Sequence, residues 1–316
     1  MTICLVGSEM CIRDRKSMGK KYKNIAMLSH THGQPASPTT MGKEFINFCR
    51  RLDAQIDDLS NIEIKGKFNG ATGNYSAHSV TYPKVNWPNT MRKFVNSLKL
   101  EFNSHTTQIE PHDYIADLCH KINHINSILI GFSQDVWAYI SKNYFTQKNI
   151  KGEIGSSTMP HKINPINFEN AEGNLGMSNA ISNYFSNKLV ISRLQRDLSD
   201  STVLRNIGLV YAYSIVAYKN ISLGLSKLDI NKQKINDDLD ECWEILAEPI
   251  QMVARKYHIS NSYEYLKKYT RGKKVDKGVI EKIITNLHIP ENEKSRLLEL
   301  TPRKYIGYAN KLCDVK

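Results

Sequence analysis

Apolar residues recur at three- and four-residue intervals between Thr40 and Ser60, at Met41, Phe45, Phe48, Cys49, Leu52, Ile56 and Leu59. That is the spacing of a helix that buries one face. The same period returns at Tyr114, Leu118, Ile122, Ile125, Leu129 and Phe132, predicting a second long helix. A third is predicted after Asn164, with Asn164 as its cap, Pro165 in its first turn and Phe168 opening its packing face. A fourth is expected from about Thr202 to Gly224, capped by Ser201 or Asp200, with Val203, Ile207, Val210, Ser214 and Ala217 on one face. Strand signals are scarce. Long helices joined by polar loops predict an all-α fold: a long central helical bundle over residues 16–225 and a smaller C-terminal helical domain over 226–316, richer in charge and in Pro breaks.

The first fifteen residues, MTICLVGSEMCIRDR, do not fit that plan. They have a short apolar run and no basic region before it, so they are not a signal peptide. They resemble translated adapter sequence joined to a gene, and residues 1–15 are set aside as a non-native leader. The authentic protein is then expected to begin earlier, with a further N-terminal domain.

Charge narrows the partners. Lys and Arg outnumber Asp and Glu by 43 to 31, a net charge of +12 that attracts anions. The basic residues are interleaved with acids, as in Lys267, Lys268, Arg271, Lys273 and Lys274 around Glu264 and Asp276, which is the pattern of a solvated basic face. No nucleic-acid motif is present. The uncharged runs Ile122 to Gln134 and Asn206 to Tyr218 fall short of the roughly 18 residues of a spanning helix, so neither nucleic acid nor membrane is expected as a partner. The cysteines Cys4, Cys11, Cys49, Cys119, Cys242 and Cys313 are scattered without a C-x-x-C pair, which suggests neither disulfides nor zinc and fits a reducing cytoplasm.

The densest chemistry lies in GSSTMPHKINP, Gly155 to Pro165. Ser156 and Ser157 offer hydroxyls and amides, Lys162 a point charge and Asn164 an amide. Such donors can hold a carboxylate and stabilise negative charge developing beside it. The same residues also suit a surface loop whose Ser and Asn merely cap helices, and composition alone does not choose between the two.

The pattern G-S-S-x-M-P-x-K-x-N-P resembles the signature of the fumarase and aspartase superfamily. Ser29-His30-Thr31-His32-Gly33-Gln34-Pro35-Ala36-Ser37-Pro38, Gln108-Ile109-Glu110-Pro111-His112-Asp113 and Arg196 through Arg205 are similar to segments of its adenylosuccinate lyase branch, particularly the bacterial one. Leu246 to Gln251, Thr270 to Lys273 and Tyr305 to Gly307 extend the similarity almost to Lys316.

The resemblance implies a β-elimination that releases fumarate from adenylosuccinate and from the succinylated aminoimidazole carboxamide ribotide, without cofactor or metal. A proton leaves the carbon beside a carboxylate, which piles charge onto that carboxylate. By carry-over Ser156 is the base, Lys162 and Asn164 clamp the carboxylate, and Ser157 adds a hydroxyl. His32 is the acid for the leaving nitrogen, a role suited to imidazole. The nucleotide half falls to Gln108, Asn170, Arg196, Ser201, Thr202, Val203, Leu204 and Arg205, with Ser201 to Leu204 expected to open a helix whose free amides favour phosphate. His30, His112 and His161 are assigned hydrogen-bonding roles. The superfamily further implies a homotetramer with each active site shared among three chains. An Arg-Tyr pair and a Thr-Ser segment of the family's N-terminal domain do not occur in residues 16–316. Argininosuccinate lyase and a non-catalytic helical scaffold are the alternatives; the Arg196 to Arg205 segment weighs against the first, and intact Ser156, Lys162, Asn164 and His32 against the second.

Overall fold

A computed structural model describes residues 16–148, 159 and 161–314. In chain order the principal elements are strands β1 (Ala26–Thr31) and β2 (Gln34–Thr40), then helices α1 (Met41–Ser60), α2 (Ser76–Thr81), α3 (Trp87–Ser97), α4 (Asp113–Ser141), α5 (Ile166–Lys188), α6 (Ser199–Leu204), α7 (Ile207–Ser226), α8 (Lys232–Glu241), α9 (Ala247–Lys256), α10 (Ser262–Thr270), α11 (Lys277–Thr285) and α12 (Glu291–Leu298). The fold is all-α, with only short two-stranded pairings among the described residues. Packing divides the chain into two compact units made of interleaved stretches. One takes Arg50–Ala138 and the described part of Gly152–Lys227; the other takes the described parts of Arg13–Cys49, Tyr139–Lys151 and Leu228–Lys316.

In the first unit α5 runs antiparallel to both α4 and α7. Trp137 Nε1 of α4 donates to Glu169 of α5 (3.1 Å), Gln134 to Glu172 (2.9 Å) and, further back along α4, Asn123 to Asn183 (2.6 Å). Asn167 of α5 reaches Asn220 of α7, and Ser178 reaches Ser214. The α5 sequence is poor in large apolar residues, and its buried face carries Ala171, Ser178 and Ser182 beside Phe168, Leu175 and Phe185. Small residues there let the helices approach closely. A Cβ placed on Gly224 of α7 would come within 2.8 Å of the Phe168 ring.

The polar atoms on this face are satisfied around one side chain. Asn126 of α4 donates to Ser178 Oγ and Ser214 Oγ, both at 3.1 Å, and accepts from the Tyr218 hydroxyl at 2.7 Å. Ser178 in turn donates to the Val210 carbonyl (2.9 Å). Beyond this layer Ile115, Cys119, Ile122, Phe185, Leu189, Val203 and Val210 form an apolar cluster. The Cys119 thiol is pushed up to about 11 by burial, so it stays protonated.

In the second unit Leu28 of β1 joins a core built from Leu239, Ile250, Ala254, Leu266, Ile283 and Leu297, among others. Gly42 lies at the start of α1 where residues 16–21, also helical, cross it. A Cβ at Gly42 would meet the Gly19 carbonyl oxygen at 2.3 Å. Glu293 ties α12 to α9 through Lys256 (2.7 Å), and that ammonium together with Arg296 holds its carboxyl down at about 2.

The predicted helical faces of α1 and α4 are buried, Met41, Phe45, Cys49 and Leu52 all lying in the core. Three local expectations are corrected. The helix predicted after Asn164 begins at Ile166 with Pro165 as its cap residue and no side-chain cap bond. The helix predicted from Thr202 to Gly224 is two, α6 and α7, interrupted at Arg205–Asn206. And residues 26–40, where no strand was expected, form a hairpin. Among the described residues no helix is long and apolar enough to cross a membrane.

Asn126→Ala removes the hub that joins α4, α5 and α7. It is expected to lower unfolding free energy by about 2–4 kcal/mol, since buried hydroxyls then compete for fewer partners. Urea denaturation checks this, and a loss below about 1 kcal/mol would show that the serines re-pair without cost.

Candidate functional site

His32 occupies the tip of the β1–β2 hairpin. Thr31 pairs with Gln34, leaving a two-residue loop in which His32 (φ 53°) and Gly33 (φ 72°) both adopt positive φ. Positive φ at both positions defines a type I′ turn, whose twist matches that of the flanking strands. Glycine takes that conformation freely, and histidine is among the residues that tolerate it. The imidazole is therefore exposed on a short, defined turn.

The return strand is anchored within its own unit. Ser37 Oγ donates to the Glu248 carboxylate in the first turn of α9. The Tyr305 phenol is raised to about 12, chiefly by burial and then by its hydrogen bond to Glu248. His30, two residues before the tip, is held below the ordinary histidine range by burial and by Lys142.

In the other unit Gln108 and Arg196 meet directly. Arg196 Nη1 donates to Gln108 Oε1 at 3.0 Å, and the Gln108 backbone N–H donates to the Gln195 backbone carbonyl at 3.3 Å. Lys67 fastens the loop that carries Gln108, its ammonium donating to the carbonyls of Gly70 (2.9 Å), Thr107 (3.1 Å) and Gln108 (2.7 Å). Burial lowers the Lys67 pKa. The sequence reading did not single out Lys67 or Glu248. Neither carries a local signal, because each acts on a segment distant in sequence.

Ser201 to Leu204 are placed differently from the expectation. Helix α6 opens at Ser199, so Ser201 is its third residue, Thr202 to Leu204 form its last turn and Arg205 closes it. Its leading amide is already taken: Ser199 N donates to Asp197 Oδ1 at 2.7 Å, and the Ser199 hydroxyl donates to the same carboxylate. Asp197 also accepts from Arg193 N at 3.0 Å. The Asp197 carboxylate therefore engages the first amide of α6, while the side chains of Arg196 and Arg205 and the hydroxyls of Ser201 and Thr202 are chemically able to receive an anion.

The loop residues lie elsewhere. Lys162 is exposed and Asn164 half-buried just before α5, while Asn170, one turn into α5, accepts from Asn174 at 3.0 Å. Ser156 and Ser157 lie outside the described residues. Lys162, Asn164 and Asn170 thus cluster at the N-terminal end of α5. Gln108, Arg196 and Ser201–Arg205 gather at its C-terminal end, where Lys188 Nζ donates to Ser199 Oγ at 2.7 Å. A 23-residue helix rising 1.5 Å per residue keeps the two groups roughly 30 Å apart. The described residues contain no group of three or more His, Cys, Asp or Glu able to hold a metal ion.

Two family models match the chain, "Lyase" over residues 12–179 and "Adenylosuccinate lyase C-terminal" over residues 192–306. The chain belongs to the adenylosuccinate lyase family. It is 57% identical over 299 residues to the adenylosuccinate lyase of Buchnera aphidicola subsp. Schizaphis graminum, covering 95% of this chain and 66% of that relative. Against the adenylosuccinate lyase of Legionella pneumophila strain Corby the identity is 55%, over 93% of this chain and 65% of the relative. For that of Escherichia coli K12 it is 52%, over 95% and 66%. The chain accordingly spans about two thirds of the length of these relatives. In fold it is similar to a 3-carboxy-cis,cis-muconate lactonizing enzyme from Pseudomonas putida (TM-score 0.76, 17% identity, 98% of this chain and 70% of that one). It is equally similar to a fumarate lyase from Mesorhizobium sp. BNC1 (TM-score 0.77, 16% identity, 99% and 71%).

In this adenylosuccinate lyase family chain the Asp197 carboxyl is depressed to about 2, first by the Ser199 hydroxyl and then by the Ser199 amide. A depressed carboxylate stabilises the fold above its unfolded pKa of about 3.9 and loses that contribution as pH falls toward the folded value. The α6 cap is therefore expected to persist at pH 4 and to titrate near pH 2. Carbon-detected NMR of the Asp197 carboxyl measures this, and Ser199→Ala should move the midpoint up toward the ordinary range.

Proposed function

We propose that the full-length protein is an adenylosuccinate lyase, eliminating fumarate from adenylosuccinate to give AMP and from the succinylated aminoimidazole carboxamide ribotide. The reading rests on the identity of 52–57% to adenylosuccinate lyases over about 95% of the chain, in a fold that presents His32 on an anchored turn. Ser156 removes the proton beside the carboxylate. Lys162, Asn164 and Ser157 hold that carboxylate and meet the charge that develops on it. His32 protonates the leaving nitrogen as the C–N bond breaks. Gln108, Asn170, Arg196, Ser201, Thr202, Val203, Leu204 and Arg205 bind the nucleotide half, the two arginines facing its phosphate. The chemistry calls on no metal or cofactor, and the enzyme works in the cytoplasm.

The working unit is a homotetramer with shared sites. The separation of Lys162 and Asn164 from Gln108 and Arg196 along α5 supports this, since a single substrate does not bridge roughly 30 Å. So does the surface of the bundle. Leu209, Val216 and Leu223 of α7 are all exposed at seven-residue intervals, and Met177 and Tyr184 of α5 repeat the spacing. Exposed apolar residues at heptad spacing form a seam for another helix.

Fumarate release from adenylosuccinate, followed by absorbance, tests the assignment. Ser156→Ala and His32→Gln should each lower kcat by about 10²–10⁴-fold, the range of acid–base catalysis. An unchanged rate in Ser156→Ala would remove Ser156 as the base. Turnover of argininosuccinate with none of adenylosuccinate would overturn the substrate. Val216→Asp is expected to dissociate the tetramer in sedimentation velocity and to abolish turnover with it, because charge placed in an apolar seam is strongly unfavourable.

A further inference from the structure

Apart from Asn170, the nucleotide-binding residues of the proposed site come from two stretches of chain, Gln108 to Asp113 and Gln195 to Arg205, joined at matching four-residue intervals. Gln108 bonds Gln195 and Arg196. Four residues further on each side, His112 Nε2 stands 3.5 Å from the Asp200 carboxylate. His112 is unusual in three respects. Its backbone has φ 66°, a conformation rare outside glycine. Its carbonyl accepts from Ile115 N and Ala116 N, so the same residue opens the 29-residue helix α4. Its amide donates to Glu110 Oε2 at 2.7 Å, while its ring Nδ1 lies 3.9 Å from that carboxylate.

The imidazole therefore lies between two buried carboxylates, one on each stretch. Yet both ring nitrogens and Asp200 Oδ1 lack hydrogen-bond partners among the described residues. So does Arg196 Nε, beside the Gln108 contact. Buried polar atoms left unpartnered are uncommon, and with a strained backbone they mark positions kept for a use other than stability.

We infer that His112 is a positioning residue for nucleotide binding. Its imidazole bridges Glu110 and Asp200, and through them holds Gln108 in register with Arg196 and with Ser201, the residue after Asp200. His112 does not touch the nucleotide; it fixes the spacing of the groups that do. The inference rests on the proposed nucleotide-binding role of Gln108 and Arg196.

The test is AMP affinity by isothermal titration calorimetry, with the melting temperature of every variant recorded alongside. His112→Phe and Asp200→Asn are each expected to weaken AMP binding roughly tenfold, and the double variant no more than either alone, since both remove one bridge. His112→Gln keeps a donor toward Asp200 and is expected to restore most of the affinity. Losses that multiply in the double variant, equal losses in His112→Gln and His112→Phe, or unchanged affinity in both single variants would each overturn the inference. If His112→Phe fails to fold, the comparison of His112→Gln with Asp200→Asn decides: affinity retained in the first and lost in the second supports the bridge, and equal losses overturn it. Failure of the wild-type protein to bind AMP at all would instead bring down the functional reading beneath it.

Discussion

Phe168 lies against Gly224 at a separation that leaves no room for a larger residue, and around that contact α5 and α7 run antiparallel with Ser178 and Ser214 face to face. Close approach brings backbone and hydroxyl groups into the interior, where each must be paired or paid for in desolvation. Asn126 supplies the pairing from α4. A hydrogen-bonded centre is directional in a way an apolar one is not, so the three helices are held in one register rather than several. That register determines which loop residues stand at which end of α5. Lys162, Asn164 and Asn170 are fixed at one end and the Gln108–Arg196 pair at the other.

Much of the helical frame was legible in the chain because large apolar residues at helical spacing have one economical arrangement. Met41, Phe45, Cys49 and Leu52 announce α1, and Leu118, Ile122, Ile125 and Leu129 announce α4; all are buried. The inward face of α5 was less legible beyond Phe168, since Ser178 and Ser182 are buried for their size and hydrogen bonds, which no hydrophobic period reveals. The break between α6 and α7 at Arg205–Asn206 carries no proline or glycine at the break itself. There the helical bonds give way to tighter three-residue turns, Asn206 N donating to the Val203 carbonyl and Leu209 N to that of Asn206. The hairpin escaped notice because Pro35 and Pro38 argue against a strand, whereas here both sit on the return strand of a two-stranded ribbon.

The candidate site divides along the same line. Its residue types were legible through motif resemblance: a histidine in Thr-His-Gly-Gln-Pro, a glutamine before Ile-Glu-Pro-His, an arginine before Asp-Leu-Ser. Their supports were not, because a motif records what is present and not what it touches. Glu248 lies 211 residues from the serine it receives, and Lys67 lies 41 from Gln108. The expected helix start differs at one local point: α6 opens at Ser199, two residues before Ser201. Asp197 sits two residues before Ser199 and satisfies its amide from within the chain, so the first amide of α6 is already engaged.

The separation along α5 also bears on what the proposed assembly would do. In the proposed reaction the carboxylate clamp and the phosphate ligands must meet one substrate, whereas Lys162 and Asn164 stand at one end of α5 and the Gln108–Arg196 pair at the other. A flexible linker could bring them together, but at the entropic cost of ordering it and with poor control of geometry. In the proposed tetramer, packing further copies against the heptad-spaced residues of α7 would achieve the same meeting with parts already rigid. The apolar seam would then be part of the catalytic machinery: it supplies binding energy between chains, and it also sets the distance between groups on different chains. An enzyme built this way gains precision at the reacting atoms from the length of its helices, because a long helix held in register by a buried hydrogen-bond hub delivers its end to a defined place on a neighbour.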